Sequence, residues 1–225
     1  MRTLSIQYSH LHTRSLHTVV VCLPPHTEPR FLPELATTKL AMRHLTANGK
    51  VQHFRTRSMR ASKLVDRWDG YSSGGPIKLL DLDGMRRTAA ANAAAQWQLW
   101  HQVVAGTKPA QPFWWFADKH QAQGEYLAQP RIQAMTAYNA LPNRPVELPT
   151  SALEAFQAGY GAYINICALT AVPADAVAPT YGAHGGWLSP TSERLADQLA
   201  YLHAANAHLT RLHPDVSLIA MAIRL

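Results

Sequence analysis

Leu16-His-Thr-Val-Val-Val-Cys-Leu23 is a β-branched apolar run with the length of one buried strand, and Pro24-Pro25 closes it. Working outward, a helix is expected from about 33 to 47. Pro33 suits a first helical position, Leu35, Met42 and Leu45 mark one face, and Asn48-Gly49 is a stop signal. Lys50 to Arg57 reads as a further strand through the alternation of Val51, His53, Arg55 and Arg57. Upstream, Leu4, Ile6 and Tyr8 alternate with polar residues, the period of a half-buried strand. The opening third is therefore β-rich around one helix.

The middle differs in kind. Tyr71-Ser-Ser-Gly-Gly-Pro76 reads as a loop, and the alanine-rich run from Gly84 to about Val104 is strongly helix-forming. Two shorter helices are expected over Phe113 to Leu127 and Arg131 to Ala140, followed by a linker through Pro142, Pro145 and Pro149. The last third returns to alternation. Tyr160 to Val172 is a strand candidate through Tyr163, Ile164, Ile166 and Leu169, and Pro173 to Gly186 is a small-residue loop. Ser189 and Pro190 open a helix running to about Leu212, with Leu195, Leu199, Leu202 and Leu209 on its apolar stripe. A terminal strand covers Val216 to Leu225. The element order is β-α-β, a helical insertion, then β-α-β. It predicts an α+β fold, a ferredoxin-like (split β-α-β) sheet with helices on one face. The expected divisions are 1–75, an N-terminal β-α-β half with the basic stretch; 76–158, a helical insertion; and 159–225, a C-terminal β-α-β half.

Charge is distributed as unevenly as structure. Residues 1–70 hold eleven Lys or Arg against four acids, an excess equal to the whole formal net charge of +7. Between Glu34 and Asp66 there is no acid at all. A positive field confined to one third of a chain attracts a polyanion, most commonly nucleic acid. Residues 1–27 also lack acids, as organelle-targeting peptides do, but the buried-strand pattern of Val19 to Leu23 favours a folded N-terminus. No apolar run reaches the length of a membrane span, so no membrane partner is expected. Cys22 and Cys167 lie in apolar runs without Cys-x-x-Cys spacing, which fits buried thiols in a reducing, cytoplasmic setting and gives no zinc site. No metal and no cofactor is expected.

The densest constellation is Lys39, Arg43, His44, Lys50, His53, Arg55, Arg57, Arg60, Lys63 and Arg67, with Phe54, Met59 and Trp68 among them. Cations neutralise phosphates, and alternation on a strand places Arg55 and Arg57 on one face with Phe54 on the other. No compensating acids sit beside these charges in sequence, so a polyanionic ligand is favoured over a solvated face. Histidines form a second group: His10-x-His12 shares a strand face near Tyr8, Arg14 and His17, where one ring could act as general acid or base. Trp97, Trp100 and Phe113-Trp-Trp-Phe116 could stack bases, but three-residue spacing on a helix reads first as core. No phosphate-loop, dinucleotide or nucleophile-elbow motif is present.

The order β-α-β, insertion, β-α-β in a basic chain resembles the RAMP-type proteins of CRISPR systems, and among them the Cas6-class endonucleases. The resemblance covers about 16–57 and 160–225. The C-terminal Gly-rich loop typical of that class is missing; residues 173–186 are its nearest stand-in. The resemblance implies metal-independent cleavage of guide-RNA precursors, in which the RNA 2′-hydroxyl attacks the adjacent phosphate. Tyr8, His10, His12 or His17 would be the base, His12 the first choice, with Arg14, Arg55 and Arg57 on the phosphate.

Three functions are compatible with these patterns: an RNA-binding protein that also cleaves, a non-catalytic nucleic-acid-binding subunit of a multiprotein nucleoprotein complex, and an enzyme of an acidic small molecule. RNA or single-stranded DNA is the expected partner in the first two, and in the second the tryptophans pack against a protein neighbour.

Overall fold

Valine-rich Leu16–Leu23 forms strand β1 in the computed structural model, which describes residues 16–57, 61–117, 122–179 and 186–224. There follow α1 (Leu32–Ala41), β2 (Thr46–Lys50), β3 (Phe54–Arg55), β4 (Tyr71–Ser72), β5 (Gly74–Pro76) and α2 (Leu82–Val103). Four shorter helices come next: α3 (Ala122–Leu127), α4 (Pro130–Asn139), α5 (Leu153–Gln157) and α6 (Tyr160–Thr170). The chain ends its described course with β6 (Ala176–Ala178), α7 (Leu195–Arg211) and β7 (Ser217–Arg224). The fold is mixed α and β. Among the described residues no helix is long and apolar enough to cross a membrane.

β7 is the axis of the main sheet, whose order is β2-β7-β1-β6. It runs antiparallel to β1 along its whole length, to β2 at one end and to β5 at the other, while β6 lies parallel to β1. β1 and β2 are thus parallel to each other with β7 between them, a β-α-β unit split by an inserted strand.

Side-chain alternation sorts the sheet into two faces. Val19, Val21, Leu23, Ile219, Met221 and Ile223 pack with Leu32, Ala36 and Leu40, which recur at every fourth residue of α1. Val20, Cys22, Leu218 and Ala220 point the other way, into one continuous core with Trp100, Tyr163, Tyr201, Leu202 and Ala205. Helices therefore cover both faces, not the one face expected from the sequence. The cause is visible in β1, where Val19 to Cys22 are all fully buried, a run that leaves no face for solvent.

Several local expectations are corrected. The helix placed over 33–47 ends at Ala41 because His44 adopts φ 59°. Leu45 N–H then donates to Leu40 O at 3.1 Å and His44 N–H to Ala41 O at 2.9 Å, a Schellman cap. Asn48-Gly49 lies instead in β2, where the register shifts between Ala47 and Gly49. Tyr160 to Val172 is not a strand. Tyr163 and Ile166 sit three apart and are buried as one face of helix α6. Phe156, on the preceding helix, stacks on Tyr163 at 4.2 Å and on Trp100 at 5.1 Å, while Trp97 Nε1 donates to Phe156 O at 3.0 Å. The helical region thus runs beyond 158. The expected loop 71–76 is two strands, and the loop 173–186 contains β6. The last helix begins at Leu195, not near Ser189; Ser192 Oγ accepts from Arg194 N–H at 3.2 Å and bonds the Asp197 carboxylate there. The strand expected over Leu4 to Tyr8 lies outside the described residues.

β5 approaches β7 so closely that a Cβ on Gly74 would stand 2.3 Å from Leu218 O and 2.8 Å from Ile219 Cα. Both are backbone atoms at the centre of the sheet and have no room to yield. Gly74→Ala is expected to cost about 2–3 kcal/mol or more in urea unfolding, whereas Gly161→Ala, which meets nothing within 4 Å, should leave stability unchanged or raise it. His44→Gly should raise stability by about 0.5–1 kcal/mol, since the left-handed cap residue then carries no Cβ.

Candidate nucleic-acid interface

Residues 65–74 form a tight hairpin. Val65 N–H donates to Gly74 O at 2.9 Å, and Trp68 and Tyr71 exchange both backbone bonds at 2.9 and 2.8 Å. Asp69 (φ 47°) and Gly70 (φ 77°) both take left-handed backbone, as a two-residue type I′ turn requires. Asp-Gly flanked by aromatic residues was the sequence signal for this turn. The hairpin presents Trp68 with 74% of its surface exposed and Tyr71 with 45%. β3 lies alongside, with Arg55 opposite Tyr71 and Phe54 opposite Ser72.

Beside the aromatics runs a row of guanidinium groups. Phe54 is fully buried while Arg55 and Arg57 are exposed on the opposite side, as the alternation predicts. The acids missing from the local sequence arrive from downstream. Asp81 caps α2 by accepting from Gly84 N–H at 3.0 Å, and its carboxylate lies 3.5 Å from Arg55 Nε and 3.6 Å from Arg57 Nε. Asp83 meets Arg57 at 3.4 Å and Arg86 at 3.0 Å. Three guanidiniums share two carboxylates. The arginine ends of these pairs are half-exposed while Asp81 is mostly covered, and surface pairs are worth about 0–1 kcal/mol each, so a phosphate can replace the exposed Asp83 partner at little cost. Lys50 is paired at 2.7 Å with Asp66. These pairings overturn the expectation that the basic stretch lacks compensating acids.

The stretch from Lys39 to Arg67 is also not one surface. Lys39 Nζ donates to Cys22 O at 3.0 Å and to Pro179 O, at the end of the sheet. Burial, and secondarily the Arg43 charge, lowers its pKa from the usual lysine range. Arg43 is exposed just beyond α1, Lys63 is exposed in a short 3₁₀ turn, and Arg67 is half-buried. His53 is turned inward, its Nε2 3.0 Å from Val172 O and its ring edge-on to Phe54. Burial holds its imidazole below the ordinary histidine range against the opposing pull of the Val172 carbonyl and Asp175. Tyr8, His10, His12, Arg14 and Arg60 lie outside the described residues. His17 is buried, with Nδ1 3.9 Å from Asp175 Oδ2.

Trp97 and Trp100 are core residues. Trp114 donates through Nε1 to Glu154 at 2.8 Å. Burial pushes the Cys22 thiol up to about 12, so it is inert at neutral pH. Among the described residues, no three His, Cys, Asp or Glu side chains are grouped to hold a metal ion. No family model, curated protein or solved structure matches the chain.

The buried neutral His53 ties stability to pH. The unfolded chain takes up this proton first, so the contribution is complete above the ordinary value of 6.5 and is lost as pH falls toward the lower folded value. Urea midpoints should drop between about pH 7.5 and pH 5, and His53→Gln should show a shallower drop. An equal drop in the variant would assign the effect elsewhere.

Proposed function

We propose that the chain binds single-stranded RNA across the 65–74 hairpin and the neighbouring arginine row. The observation that carries this reading is Trp68, three-quarters exposed at the tip of a hairpin whose turn geometry holds it in place. An aromatic ring fixed in solvent beside exchangeable guanidiniums is the combination that stacks bases while tracking a phosphate backbone. Single strands offer free base faces and duplexes do not.

A guide-RNA precursor in a CRISPR-type ribonucleoprotein is the RNA class that the resemblance implies. The β1-α1-β2 unit split by β7 supports a ferredoxin-like reading of the sheet; the parallel β1–β6 pair and helices on both faces are particular to this chain. With His17 enclosed, a cleavage step falls to Tyr8, His10 or His12. Cleavage in EDTA giving 2′,3′-cyclic phosphate ends, abolished by His12→Ala, is the test of that step.

Binding is tested by titrating single-stranded RNA at several salt concentrations, with single-stranded DNA and duplex RNA as controls. Trp68→Ala should cost roughly 1–3 kcal/mol with an unchanged salt slope. Arg55→Gln combined with Arg57→Gln should lower that slope by about 1.4, the value for two released contacts on a single strand. Asp81→Asn keeps the helix cap and frees the arginines, so it should tighten binding. Unchanged affinity in Trp68→Ala would remove the basis of the reading.

A further inference from the structure

The short sheet that carries the hairpin sets three side chains in a lateral row. Trp68 and Tyr71 are directly opposite each other and exchange both backbone bonds, and Tyr71 is in turn directly opposite Arg55. Residues opposite one another in an antiparallel pair project to the same face, so Trp68, Tyr71 and Arg55 share one face. Burial agrees with this register. Phe54 and Ser72, the neighbouring pair, are fully buried, while Trp68, Tyr71 and Arg55 are all exposed. Adjacent strands stand about 4.8 Å apart, so Tyr71 lies one strand from Trp68 and one strand from Arg55.

The row continues on the far side of Arg55. Asp81 N–H donates to Arg55 O at 2.7 Å, and the Asp81 carboxylate lies 3.5 Å from Arg55 Nε. Arg55 Nη1 also donates to Thr88 Oγ1 at 3.4 Å, on α2. The guanidinium is thus held on its α2 side, and Tyr71 stays uncovered between an aromatic and a cationic neighbour. Among the described residues no hydrogen bond engages the Tyr71 hydroxyl. A phenol both donates and accepts. In a nucleotide the sugar separates base from phosphate. With a base stacked on Trp68 and its phosphate on the arginines, the sugar lies over the middle member of the row.

On the reading that the hairpin binds single-stranded RNA, we infer that Tyr71 reads the ribose. Its hydroxyl bonds the 2′-hydroxyl of the nucleotide stacked on Trp68 and so sets the preference of this surface for RNA over DNA. The 2′-hydroxyl is the group that distinguishes the two polymers, and it too both donates and accepts. Stacking and phosphate contacts cannot make that distinction, because DNA offers the same base faces and the same charges. A deoxyribose leaves the exposed phenol to water, so DNA forgoes one bond and buries no unpaired group. The discrimination is therefore that of a single hydrogen bond.

The test compares Tyr71→Phe with the wild-type chain on single-stranded RNA and on DNA of the same sequence. Deoxyuridine replaces uridine in the DNA, so the two ligands differ only at the 2′ position. Tyr71→Phe keeps the ring and removes one exposed hydroxyl, so the urea midpoint is expected to hold. RNA affinity should fall roughly three- to tenfold, the worth of one hydrogen bond, with DNA affinity and the salt slope unchanged. Trp68→Ala, in contrast, should weaken RNA and DNA alike, because bases stack whatever the sugar. Equal losses on both ligands in Tyr71→Phe would place the hydroxyl on a phosphate or a base, and no loss on either would leave Tyr71 as a ring alone. Both outcomes overturn the assignment while leaving the binding surface in place. Failure of the surface itself shows separately, as unchanged RNA affinity in Trp68→Ala, and overturns the ribose contact with it.

Discussion

Three of the other four strands of the main sheet, β1, β2 and β5, pair with β7. The segment Ser217 to Arg224 is hydrogen-bonded to β1 on one side and to β2 and β5 on the other, and all of it but Arg224 is buried. Its partners lie about 140 to 210 positions earlier in sequence. Until that pairing forms, β1 and β2 have no common neighbour and α1 has only half of its apolar floor. Non-local pairing of this kind makes the sheet the slow step of folding. The helices from α2 to α5 have more local contacts to make, yet their core is continuous with Val20, Cys22, Leu218 and Ala220.

What the sequence announces and what it conceals follow from this arrangement. β1 and β7 are legible because side chains define them: a β-branched apolar run can be read without knowing its partner. β5 is Gly-Gly-Pro and β6 is Ala-Val-Ala, and both are strands only because of what they lie against. The absence of a Cβ at Gly74 is the reason that β5 reaches β7, and no periodicity encodes it. Helix α6 was misread because Tyr163, Ile164, Ile166 and Leu169 are also good strand residues. Its helical state goes with the packing of Tyr163 on Phe156, which in turn stacks on Trp100. Helix α1 fails differently, since its stop is a histidine in left-handed backbone, a role that usually falls to glycine.

The site was legible in charge sign but not in grouping. A linear tally finds no acid between Glu34 and Asp66, and the fold brings Asp81 and Asp83 back onto Arg55 and Arg57. The same folding carries Lys39 to the far end of β1 and turns His53 into the interior. One apparent basic stretch is therefore three environments: a paired and exposed arginine row, an inward histidine, and an unpaired lysine among strand carbonyls.

The difference between paired and unpaired cations has a physical consequence. At the hairpin, Asp81 and Asp83 hold the arginines in a defined row while leaving Arg55 and Arg57 half-exposed to solvent. Each contact is weak, exchangeable and screened by salt. At the sheet end, Lys39 is fixed by the carbonyls of Cys22 and Pro179 and cannot swing out without giving up both bonds. The exposed arginine row and the carbonyl-bound lysine thus differ in freedom to exchange partners, although only one strand, β2, separates α1 from β3 in the sequence.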